Sequence, residues 1–83
     1  MPRYYFHLRD GMDVLLDPEG RDVSSLAQVE SQTLIEAREI IAHEAREGLV
    51  KLSYHLDVQD ASGAVVHRLE FEDAVEIIRG AAA

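Results

Sequence analysis

The pattern of apolar and polar side chains at the start of the chain predicts a β-hairpin. Apolar residues occupy every second position of Arg3–Arg9, which indicates a first strand. Asp10-Gly11 follows directly, and this dipeptide adopts the positive φ angles of a two-residue hairpin turn. Met12–Leu16 predicts a short second strand, which ends at the proline- and glycine-containing turn Asp17–Gly20.

The register of this hairpin follows from the predicted turn. A two-residue turn at Asp10-Gly11 would create three opposed pairs: Phe6 with Leu15 on one face, and Tyr5 with Leu16 and His7 with Val14 on the other. Both faces would then carry apolar side chains, whereas a two-layer domain needs only one apolar face. We therefore expect either a longer loop that changes the register or a cover over the second face, such as a second copy of the chain.

Helical periodicity follows the hairpin. Ser25 and Gln28 have the spacing of a capping box, and Gly48 stands where helices commonly end, so a helix is predicted over Leu26–Glu47. Ile35 falls nearly opposite the apolar stripe of this helix and is predicted to be an exposed contact residue. The stripe itself is predicted to face the sheet and consists of Leu26, Val29, Thr33, Leu34, Ala37, Ile40, Ile41 and Ala45.

Alternation returns after the helix and predicts a second hairpin. Leu52–Gln59 indicates a third strand, Asp60–Gly63 a turn, and Val65–Phe71 a fourth strand, in which His67 shares the parity of the apolar residues. The apolar residues of Asp73–Arg79 then have helical spacing and predict a second, short helix.

These elements predict one small α+β domain over residues 1–80, with a short disordered tail over residues 81–83. The predicted order is β-β-α-β-β-α, with a mostly antiparallel four-stranded sheet, one long helix and one short helix. A chain of 83 residues is too short for a second core, and a single core of this size supplies only about 3–5 kcal/mol of net stability. Self-association would therefore help this fold.

Charge and composition narrow the partners. The chain has 16 acidic and 8 basic residues, and the bases are scattered, so the formal net charge is -8. Long-range repulsion therefore disfavours nucleic acids and anionic membranes as partners. The chain has no cysteine and no apolar run long enough to span a bilayer, which leads us to expect a cytoplasmic protein.

Histidines and carboxylates raise the hypothesis of a cation site. His7, His55 and Asp57 would share one sheet face if the first and third strands are neighbours. His43 is flanked one helical turn away by Glu39 and Glu47. The alternative interpretation is that these are ordinary solvated side chains. The loop acids Asp10, Asp13, Asp17, Glu19 and Asp22 lack the spacing of a calcium-binding loop.

The sequence contains no recognisable catalytic motif. The serines, including Ser24 and Ser25, lie outside any nucleophile-elbow context, and the glycines are isolated at predicted turns and helix ends. We therefore predict no enzymatic activity and no cofactor.

The opening segment MPRYYFHLRDG, followed by Asp17–Gly20, resembles a family of small uncharacterised proteins common in rhizobia and related alphaproteobacteria. The likeness continues through the helix, which is rich in alanine and glutamate, then through Val58–Gly63 and Leu69–Ala74. It implies a bacterial domain of unknown function with no assigned activity, cofactor or binding residue.

Three functional hypotheses follow. The first is a non-enzymatic module that binds another protein, or a second copy of itself as a homodimer, through its sheet, with Tyr5, His7, Leu16 and Ile35 as candidate contact residues. The second is a sensor of a small ligand or a metal cation that uses the surface histidines His7, His43 and His55. The third is an enzyme with an unrecognised site, since one sequence does not reveal a pocket.

Overall fold

An antiparallel five-stranded sheet forms one layer of the fold, and a long helix forms the other. The structure, a computed structural model, describes residues 2–80. The strands are β1 (Arg3–Asp10), β2 (Asp13–Leu15), β3 (Arg21–Asp22), β4 (His55–Gln59) and β5 (Val65–Glu70). The helices are α1 (Leu26–Glu47) and α2 (Phe71–Ala74). The predicted α+β class is therefore confirmed. The predicted tail at residues 81–83 lies outside the described residues.

The sheet contains one more strand than predicted. Its strands are ordered β2-β1-β4-β5, and β3 forms an additional pair with β1. β2 pairs with the end of β1, while β3 pairs with its beginning, where Arg3 lies opposite Asp22 and Tyr4 lies opposite Arg21. β2 and β3 therefore follow one another along β1, separated by residues 16–20. A two-residue strand has too few side chains to show alternation in the sequence.

The first hairpin has its turn one residue later than predicted, which shifts the pairing of its strands by two residues. Leu15 lies opposite Leu8, and Asp13 lies opposite Asp10, so the central turn residues are Gly11 and Met12. Gly11 has a φ of 60°, and within residues 2–80 no non-glycine residue has a positive φ, so Met12 does not, which is the pattern of a type II′ turn. The predicted pairs were therefore wrong. A shift of two residues preserves which side chains share a face.

The long helix begins and ends where the sequence predicts. The Ser25 side chain accepts a hydrogen bond from the backbone N–H of Gln28 at 3.2 Å, and Gly48 takes the left-handed conformation that closes the helix. Val29, Thr33 and Ala37 are buried against the sheet. The predicted stripe holds in the middle of the helix, but Leu26 and Ala45 at its ends are exposed.

The second helix is shorter than predicted. It spans only Phe71–Ala74, and Val75 already has extended backbone angles of -140° and 155°. Phe71, predicted to end a strand, is buried and its N–H donates to the Tyr54 carbonyl at 3.0 Å. The predicted helix over Asp73–Arg79 was wrong, because β-branched residues have weak helical propensity and so short a helix needs a packing partner.

The core lies between α1 and one face of the sheet in two clusters. The first is formed by Phe6, Val23, Val29 and Val58, and the second by Ala37, Leu56, Phe71 and Ala74. The opposite sheet face is not covered by either helix, because its side chains alternate with these core residues along β1 and β4. This arrangement leaves two regions where function can be sought, the open sheet face and the β2 edge.

Candidate functional site

The open sheet face is centred on Asp57, a buried carboxylate. Asp57 is only 3% exposed and lies opposite His7 on one side and Arg68 on the other. Its Oδ1 accepts a hydrogen bond from Arg68 Nε at 2.6 Å, and its Oδ2 lies 2.8 Å from Arg9 Nε. Arg9 of β1, Asp57 of β4 and Arg68 of β5 thus form one ion-pair network across three neighbouring strands.

This network keeps Asp57 ionised. Burial by itself raises the pKa of Asp57, but the hydrogen bond and charge of Arg68, and then the charges of His55 and Arg9, lower that pKa by more, so it falls below its ordinary value. The negative charge is therefore balanced within the sheet itself. A ligand would have to displace an arginine to reach this carboxylate.

The structure places His7, His55 and Asp57 on one sheet face, as the sequence suggested, but their ring nitrogens are not arranged around a common point. His7 Nδ1 accepts a hydrogen bond from the Asp17 backbone N–H at 3.0 Å. His55 Nε2 lies 3.6 Å from Asp57 Oδ2. His43 belongs to α1, on the other side of the sheet. Within residues 2–80, no three histidine or acidic side chains converge as metal ligands would.

Asp17 organises the edge between β2 and β3. Its Oδ2 accepts the Phe6 backbone N–H at 3.1 Å, and its Oδ1 accepts the N–H groups of Glu19 at 3.3 Å and Gly20 at 3.1 Å. Burial raises the pKa of Asp17, but these backbone donors and the nearby charge of Arg21 outweigh it and lower the pKa below its ordinary value. The carboxylate thus replaces the missing strand partner of β1 at this point.

Gly20 allows the loop to lie directly on β1. Its φ is 67°, and a Cβ atom at this position would lie 2.7 Å from the Tyr4 carbonyl oxygen and 2.9 Å from the Tyr5 ring. Any other residue would therefore have both a disfavoured backbone conformation and a steric clash. The loop is fixed from both of its ends, by Asp17 and by Gly20.

An apolar cleft opens beside this loop on the helix side of the sheet. Its volume is about 360 Å³, and Leu15 and Leu16 on its rim are 69% and 58% exposed. The Arg21 guanidinium stacks over the Phe6 ring at 4.3 Å from the ring centroid. The remaining walls come from Leu8, Asp17, Pro18, Glu19, Gly20, Glu36, Ile40 and Leu56. A second cavity of about 260 Å³ adjoins Val14 and Tyr54.

The four predicted contact residues lie on three different surfaces. Tyr5 and His7 occupy the open sheet face, where their rings stack with centroids 6.4 Å apart, and His7 is buried. Leu16 lies on the rim of the cleft. Ile35 is 59% exposed on α1, away from the sheet, as its position opposite the stripe indicated.

The sequence interpretation missed the role of Asp17 and the arginine partners of Asp57. Asp57 alternates with the apolar residues Leu56 and Val58, which is the ordinary position of an outward-facing polar side chain, so the sequence gives no signal that its carboxylate is buried and paired. The cleft has no local signal either, because its walls combine residues of the first hairpin, the loop after it, α1 and β4.

Comparison with protein-family models matches residues 3–72 to the domain of unknown function DUF6894. Comparisons with curated proteins and with solved structures found no match. Neither helix among the described residues combines the length and the apolar character that crossing a bilayer requires. The matched region contains the whole sheet, α1 and the cleft-forming loop, and the chain therefore belongs to the DUF6894 family.

Proposed function

We propose that the chain is a non-enzymatic protein-interaction module that binds an extended apolar segment along β2 and in the adjoining cleft. The observation that supports this most directly is the apolar surface exposed on both faces of this edge. Leu15 and Leu16, which line the cleft, are 69% and 58% exposed, and Val14, on the other face of β2, is 45% exposed. Apolar surface of this kind is costly to leave in water and marks a contact site when it is contiguous.

Backbone geometry at this edge also suits an extended partner. Among the described residues, β2 pairs only with β1, so its outer N–H and C=O groups face away from the sheet. A peptide that adds as a strand would hydrogen-bond with this edge, while alternate side chains would enter the cleft. Backbone hydrogen bonds to β2 would give the partner segment its affinity. The apolar side chains that fit the cleft of about 360 Å³ would give it selectivity.

The open sheet face is a weaker candidate surface. Arg9 and Arg68, whose side chains are 33% and 55% exposed, would lose contact with water if a protein covered them, and the desolvation of charged groups is expensive. Burying the leucines of the edge has no such cost. We therefore place the contact surface at Leu16 and its neighbours rather than at Tyr5 and His7.

Panning a random-peptide display library against the purified protein tests this proposal. We expect enriched peptides with alternating apolar residues that bind the wild type and lose at least tenfold in affinity against a Leu15→Asn/Leu16→Asn variant. Ile35→Asn is the matched control, because it also removes an exposed apolar side chain but lies on α1. A Tyr5→Gln variant reports on the open face. Equal binding to the wild type and the leucine variant would reject the edge as the site.

The proposed setting is the cytoplasm of a bacterium. The absence of cysteine fits a reducing compartment, and the opening motif supports the bacterial assignment. Fractionation of cells that express the protein, with detection by antibody, tests this part of the proposal.

A further inference from the structure

The residues after α2, Val75–Gly80, form an arm that belongs to no helix or strand and carries two exposed isoleucines. Val75 has β-type backbone angles, and Ile77 and Ile78 are 63% and 79% exposed. The Cα radius of gyration of 14.2 Å exceeds the roughly 12 Å of a compact domain of this length. The longest dimension is 53 Å, which is consistent with a projecting segment.

The arm lies outside the cleft of its own chain, because Ile77 and Ile78 are 63% and 79% exposed and do not line that cleft. α2 follows β5, and β5 is separated from β2 by two other strands, so the arm starts about 14 Å from the cleft edge of the sheet. α1 covers the sheet face between these points. Arg38 Nε of α1 donates to the Ala74 carbonyl at 2.9 Å, which fixes the starting point of the arm against the helix.

We infer that two copies of the chain exchange their arms, each copy adding its arm along β2 of the other, so that one of the consecutive side chains Ile77 and Ile78 enters the apolar cleft and the other packs beside Val14 on the opposite face of the edge. This inference rests on the proposed function of the β2 edge and names its occupant. An arm of six extended residues spans about 20 Å, which is enough to run along β2 and the loop that follows it. The exchange is reciprocal, so both arms and both clefts are filled in a closed twofold dimer.

The apolar area available is sufficient for a stable pair. Each copy would contribute Met12, Val14, Leu15, Leu16, Ile77 and Ile78. Burying these twelve side chains at about 60 Å² each gives about 700 Å² of apolar area. Apolar atoms make up about 60% of a typical interface, so the total is about 1,200 Å², at the lower end of the range for specific complexes.

The charges of the arm do not oppose this arrangement. The arm is neutral overall, with Glu76 and Arg79, so it can approach the acidic cleft lining of Asp17, Glu19, Glu36 and Arg21 without net repulsion. The two whole chains repel each other, because each has a formal charge of -8. Salt screens this long-range repulsion, so we expect tighter association when ionic strength rises from about 20 mM to about 500 mM.

Sedimentation velocity on the full chain, combined with mixing of two variants, tests the exchange. We expect the wild type to form a dimer of the 9.3 kDa chain in a concentration-dependent manner, and the arm variant Ile77→Asn/Ile78→Asn and the edge variant Leu15→Asn/Leu16→Asn each to be monomeric. An equimolar mixture of the two variants should recover a dimer, because one intact arm still meets one intact edge. The dissociation constant of this mixed dimer should be at least tenfold larger than that of the wild-type dimer.

Circular dichroism of each variant verifies folding, and Ile35→Asn, which should dimerise normally, controls for the loss of an exposed isoleucine. An arm variant that dimerises like the wild type, or a mixture that stays monomeric, would overturn the exchange. A monomeric wild type that still binds the panned peptides would overturn it as well, while leaving the proposed function of the edge in place. A wild type that dimerises through the arm but binds no peptide would instead restrict the edge to self-association.

Discussion

The open sheet face and the β2 edge each contain an aspartate with a lowered pKa, but the two carboxylates are stabilised in different ways. Asp57 is held by the side chains of Arg9 and Arg68, whereas Asp17 is held by backbone N–H groups of its own loop and of β1. In the first arrangement the buried carboxylate is already occupied, because Arg9 and Arg68 both lie within ion-pair distance of it. The second shapes a loop and leaves apolar side chains uncovered beside it. A lowered carboxylate pKa therefore accompanies two different surfaces, one built from charged side chains and one that exposes apolar ones.

The largest effect is expected at the loop. Gly20→Ala should destabilise the protein by about 3 kcal/mol, because the new Cβ meets the Tyr4 carbonyl oxygen and the backbone φ remains positive. Gly63→Ala is the control, since Gly63 also has a positive φ but no atom within 4 Å of the added Cβ, and it should cost only about 1 kcal/mol. Urea unfolding followed by circular dichroism measures both. Equal losses would show that crowding against β1 is unimportant.

A smaller loss is expected at the open face. Asp57→Ala should reduce the free energy of unfolding by about 2 kcal/mol, less than for a fully buried pair, because the remaining Arg68 is 55% exposed and can turn to water. Arg68→Ala should cost less than about 1 kcal/mol, because Arg9 still pairs with Asp57. If the arginine substitution were the more damaging of the two, the network would not be centred on the carboxylate.

Acid should weaken both regions. A folded-state pKa below the unfolded value of 3.8 means that each aspartate contributes stability that is fully present well above that value and is lost as the pH falls through the folded pKa. The difference in unfolding free energy between the wild type and Asp57→Asn should therefore be largest near about pH 7 and shrink by about pH 3. Asp17→Asn should behave in the same way. A difference that stays constant between these pH values would contradict the assignment.

The fold was largely predictable from the sequence because its signals are local. The cap at Ser25, the end of α1 at Gly48 and the alternation in β4 each depend on residues close in the chain. The error in the first hairpin had a local cause too, since Asp10-Gly11 and Gly11-Met12 are both compatible with a glycine turn. The two registers place the same side chains on each face and differ only in whether Leu15 lies opposite Leu8 or Phe6.

The candidate site was less predictable because it depends on contacts between distant residues. Asp17 looked like an ordinary turn residue, and its bond to the Phe6 N–H joins positions 11 residues apart. The segment after α2 was also misassigned, because the spacing of Val75, Ile77 and Ile78 suits a helix. Their β-branched side chains have weak helical propensity, and the two exposed isoleucines make no packing contacts within residues 2–80 that would stabilise a helix. The exposure of these isoleucines depends on what the rest of the fold covers, and their spacing along the chain does not show it.

The smallest effect is expected at the edge leucines, and it separates binding from stability. Leu15→Asn should change the free energy of unfolding by less than about 0.5 kcal/mol, because Leu15 is 69% exposed and contributes little to the core. Leu56→Asn, at a position 1% exposed, is the contrasting control and should cost several kcal/mol, on the order of 3 or more. Chemical unfolding at low protein concentration, where association does not contribute, gives both values. A large loss at Leu15 under those conditions would mean that this side chain stabilises the monomer, and the cleft would then be part of the core instead of a surface exposed for a partner.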